Sequence, residues 1–142
     1  MTGQVNQRLS RHGDAHVKLH LINTDDSYRP ILMLSVYVPS DVDRLCAACR
    51  QLATRTIERF ALHEQPWMQP IQNCQFVWEY SQKDVGVKLP SPGSPFVLRY
   101  SDEAWLEVEG KLLAVRVPKR NRLNELTMEG EVLVIISPDG KP

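Results

Sequence analysis

Only one stretch of this chain, from about Asp41 to His63, carries the apolar spacing of a long helix, while nearly every other periodic segment alternates like a strand. Val42, Leu45, Cys49, Leu52, Ala53 and Phe60 form the stripe. Ser40 reads as an N-cap, with Asp43 three residues on and acids in the first turn, where they complement the helix dipole. A lone amphipathic helix among strands must bury its stripe against a sheet. The expected class is therefore α+β: a mostly antiparallel sheet of about six to eight strands with the 41–63 helix packed on one face, in the order β-β-α-β-β-β-β-β-β.

The strands follow from alternation and from turn residues. They are expected over Ala15–Ile22, Ile31–Val38, Cys74–Tyr80, Val85–Leu89, Phe96–Tyr100 and Glu131–Ile136. Between them, Asn23–Arg29 reads as a turn, His63–Asn73 as a Pro-broken crossover and Pro90–Pro95 as a stiff connection. Over Ala104–Val117 the alternation predicts a hairpin, with Glu109 and Gly110 as its two-residue turn. That register puts Trp105, Leu112 and Ala114 on a face too apolar for solvent, so these three, with Trp67 in its Pro-flanked loop, are expected to line an interface or a pocket.

A chain of 142 residues predicts a single globular domain over 1–142, with 1–14 and 137–142 as flexible tails. Its basic and acidic side chains balance at seventeen each, so no global field gathers nucleic acid or anionic membrane around it. Neither a signal-peptide core nor an apolar run of about eighteen residues is present. With three cysteines, two of them spaced C-x-x-C inside the helix, this points to reduced thiols, a cytoplasmic setting and no membrane partner.

Cys46, Cys49, His63 and Cys74 could be drawn as a zinc set. The helical wheel instead puts Cys49 at the middle of the apolar stripe and Cys46 toward its edge, so the cysteines are read as core and no metal or other cofactor is expected. Nor is Cys46 at an exposed helix N-terminus, as a redox motif requires. Arg116, Lys119, Arg120 and Arg122 form the densest positive patch, a candidate anion or nucleic-acid contact against the plainer reading of a solvated loop. His16, Lys18 and His20 share one strand face without a third ligand for a metal. No nucleophile sits beside a base, and no phosphate loop or nucleotide fingerprint appears, so no catalytic residue is assigned.

Three functions follow as expectations. The first is a non-catalytic binding or adaptor protein using the hairpin face for self-association or for a protein partner. The second is a small-molecule site between helix and sheet, where His63, Cys46 or Glu107 would supply polar chemistry. The third is a nucleic-acid accessory protein using the 116–122 patch.

Overall fold

The computed structural model describes residues 17–22, 30–115, 124–127 and 129–137. In chain order the elements are β1 (Val17–Ile22), β2 (Ile31–Val36), α1 (Pro39–Ala53), β3 (Arg59–Ala61), β4 (Met68–Pro70), β5 (Phe76–Tyr80), β6 (Gly86–Val87), β7 (Phe96–Tyr100), α2 (Asp102–Val115), β8 (Asn124–Glu125) and β9 (Leu133–Ser137). Short 3-10 turns follow β3 and β4, over Leu62–Glu64 and Ile71–Asn73. The class is α+β.

The strands form two mixed sheets in place of one mostly antiparallel sheet. One runs β4-β1-β2-β9-β8 and the other β3-β5-β7-β6. Parallel pairs occur at β1–β4, β2–β9 and β5–β7, because β9 returns from the far end of the chain to lie beside β2 and β4 inserts beside β1. Local turn chemistry carries no information about such long-range returns.

Helix α1 is shorter than its apolar stripe suggests, and it starts two residues earlier than a Ser40 cap would place it. Val38 is the N-cap, without a side-chain hydrogen bond, and Pro39 takes the first helical turn, where its fixed φ is already helical. At the other end Arg55 adopts a left-handed φ of 59°. The Arg55 N–H then donates to Leu52 O (3.2 Å) and the Thr56 N–H to Gln51 O (2.9 Å), which is a Schellman closure. An arginine in place of the usual glycine hides this stop in the sequence, and Phe60 belongs to β3.

The larger correction concerns Ala104–Val117. It is not a hairpin: Asp102–Val115 is one helix, α2. Ser101 accepts the Ala104 N–H on its side-chain oxygen (3.4 Å), and Asp102 and Glu103 occupy the first turn. Ala104, Trp105, Val108, Leu112 and Val115 are buried, at helical spacing. Gly110, read as a turn residue, lies inside this helix with an ordinary φ.

Helices α1 and α2 pack against each other, and both join one core with the inner faces of the sheets. Val17, Leu19, Leu32, Leu34, Val134 and Ile136 come from the first sheet, and Phe76, Trp78 and Leu98 from the second. Trp105 lies 5.1 Å from the Trp78 ring and 5.7 Å from that of Tyr100, and its indole N–H donates to Glu79 O at 3.2 Å. The polar handle of a fully buried tryptophan is thus satisfied. The sheets meet where Val87 bridges Val132, with the Glu131 N–H donating to Val87 O at 2.7 Å. Among the described residues no helix is long and apolar enough to cross a membrane.

Candidate functional site

Of the residues expected on an apolar hairpin face, Trp105 and Leu112 are wholly buried, and only Ala114 is exposed. The reason is periodicity: positions that share a strand face separate around a helix, so Trp105 and Leu112 turn inward while Leu106 and Leu113 turn outward. Leu106 is 51% exposed and Leu113 43%. With Gly110 and Ala114 they form an apolar outer face on α2, opposite its buried side. Trp67 is half-buried, stacked 6.4 Å from Phe60, with the Arg44 guanidinium 5.8 Å from its ring centre. Arg116, Lys119, Arg120, Arg122 and His16 lie outside the described residues, as does the expected turn Asn23–Arg29.

The cysteines are buried. Cys46 Sγ donates to Glu109 O across the helix pair at 3.8 Å. Burial first, then the neighbouring Cys46 and Glu109, pushes the Cys49 thiol well above its ordinary range, and burial raises Cys74 to about 11. Thiols held protonated in this way are poor nucleophiles and poor metal ligands. No group of three or more His, Cys, Asp or Glu among the described residues could hold a metal ion.

The three groups expected to serve a pocket between helix and sheet do not converge on one. His63 Nδ1 accepts the Phe76 N–H at 3.1 Å, Cys46 faces Glu109 O, and Glu107 is exposed on α2. A cavity of about 60 Å³ beside Glu107 is spanned by local ties, with the Tyr100 hydroxyl donating to the Glu129 carboxylate and Lys111 Nζ donating to Leu126 O at 3.5 Å.

A larger cleft, of about 390 Å³, opens at the seam between the sheets, where the chain leaves β4 in the first sheet and enters β5 in the second. His20 from β1, Gln72, Asn73 and Gln75 from the turn before β5, and Ser94 and Phe96 from the connection into β7 all line it. Gln72 and Asn73 both hold positive φ, 52° and 58°, which for two successive non-glycine residues is a conformation set by tertiary structure. Desolvation, and then the charge of Lys18, lowers the His20 pKa, so its imidazole is neutral at neutral pH.

No family model, curated protein or solved structure matches the chain. Two features therefore stand out on geometry alone: the outer face of α2 and the seam cleft. The helix that carries the first has a sequence signal in the 3.6 period of Ala104, Val108, Leu112 and Val115 after Ser101, Asp102 and Glu103, which the alternation of a hairpin masks. The second had no sequence signal beyond Asn73, a residue type that tolerates left-handed backbone.

Proposed function

We propose that the protein is a non-catalytic binding protein that self-associates, packing the outer face of α2 against α2 of a second copy. The observation that carries this is the outward exposure of Leu106 and Leu113 from a helix whose other side is already core. Exposed leucines on a helix whose opposite side is core make an apolar strip that self-association would take out of water.

Charge selects the occupant. Asp102, Glu103 and Glu107 make the first half of α2 acidic, and Lys111 lies in its second half. A second copy packed antiparallel keeps the two acidic starts apart and sets each toward the Lys111 half of the other, and such a two-fold contact is self-complementary. Three free, buried cysteines are compatible with a reducing cytosol as the setting.

Light scattering over a micromolar to millimolar concentration series tests this reading. The wild type is expected to reach the dimer mass, and the Leu106→Asp/Leu113→Asp variant to stay monomeric with an unchanged melting temperature, since both positions are solvent-facing in the single chain. A monomer throughout the series overturns the proposal, as does a variant that dimerises like the wild type.

A further inference from the structure

Independently of how α2 is covered, we propose that the seam cleft is a binding site for a small, neutral, polyhydroxylated ligand of the saccharide class. Its volume of about 390 Å³ lies in the range of small-molecule sites. Its lining is what narrows the chemistry.

Gln72, Asn73 and Gln75 bring three carboxamide residues to the lining, each carrying a planar group with two N–H donors beside one carbonyl acceptor. Adjacent hydroxyls both donate and accept, so a carboxamide can answer two of them at once, whereas a phosphate or carboxylate would use only the donors. Ser94 adds one more group of either sense to the lining, and the half-buried Phe96 adds apolar surface suited to the C–H face of a sugar ring.

Among the described residues lining the cleft, none is an aspartate, glutamate, lysine or arginine. These residues therefore offer a charged ligand no counter-charge in return for its lost hydration. His20 does not change this, since desolvation and Lys18 keep its imidazole neutral at neutral pH. The two left-handed residues among these carboxamides fit the same reading: strained backbone is commonly kept where it positions ligand-binding groups.

The test is an amide-resolved NMR titration of the full chain with glucose, maltose and N-acetylglucosamine, and in parallel with glucose 6-phosphate and glucosamine as charged probes. The expected result is saturable shifts centred on Gln72, Asn73, Gln75 and Ser94 with at least one neutral sugar, and weaker binding of the charged probes. The Gln72→Gly/Asn73→Gly variant removes two amides while keeping a backbone that glycine adopts freely, so its melting temperature should not fall. Its affinity should drop at least about tenfold, the loss of roughly 1.4 kcal/mol of hydrogen bonding. Absence of saturable shifts with all three neutral sugars overturns the proposal. So does tighter binding of a charged probe, or undiminished binding by the glycine variant.

Discussion

Buried polar atoms in this protein are handled one residue at a time, and the way each is handled sets how the molecule responds to pH. Trp105 gives its indole N–H to Glu79 O, and His63 takes the Phe76 N–H on its ring nitrogen, so both are structural ties. His20 differs from these, because partial burial and then the neighbouring Lys18 disfavour its protonated form and lower its pKa below the ordinary 6.5. The unfolded chain then takes up the proton more readily than the folded one. Stability is unaffected by this group above the ordinary histidine range and falls as pH drops through it. Urea unfolding at about pH 7.5 and about pH 5.5 should show a larger acid-side loss for the wild type than for His20→Gln, and equal losses would rule the effect out. In the sequence His20 reads as an alternating strand position sharing a face with His16 and Lys18. What lowers its pKa is burial, which the local pattern does not contain.

At the scale of elements, the two helices show what a local pattern decides. In α1 the stripe Val42, Leu45, Cys49 and Leu52 was read as helical and is buried, because an apolar face of that period has no other way to leave water. The end of α1 was misread because Arg55 closes the helix in a conformation normally signalled by glycine. In α2 the reverse happened: Gly110 suggested a turn, yet it lies inside a helix, where it is exposed and a Cβ would meet nothing within 4 Å. Gly110→Ala should therefore stabilise the fold by about 0.5–1 kcal/mol, through a lower entropy of the unfolded chain and better helix propensity. A chemical denaturation midpoint that fails to rise in the variant would contradict the helical assignment. Short apolar stretches such as Ala104–Val115 fit both periods, and the choice between them falls to packing: Trp105 reaches Trp78 and Tyr100 only from a helix laid over the second sheet.

The whole molecule is held at a joint that neither sheet contains by itself. Gly86 and Gly130, at φ 74° and 91°, let the β6 and pre-β9 backbones approach until Val87 bridges Val132. A Cβ on Gly86 would sit 2.5 Å from Glu129 O, and one on Gly130 2.5 Å from Val87 O. Backbone cannot move aside as a side chain can, so Gly86→Ala and Gly130→Ala should each cost at least about 2 kcal/mol, from steric overlap added to the left-handed penalty. Thermal melts of the two variants check this, and a melting temperature within a degree of the wild type would show that the sheets do not depend on the joint. Hydrophobic period and capping chemistry act within a few residues, which is why the α+β class, the start of α1's buried stripe and most strand positions could be read from the residues alone. The parallel pairing of β2 with β9, the division into two sheets, the inward turn of Trp105 and the seam cleft depend on residues distant in the chain. Only the tertiary structure decided those, because pairing and burial are won by contacts that no local window contains.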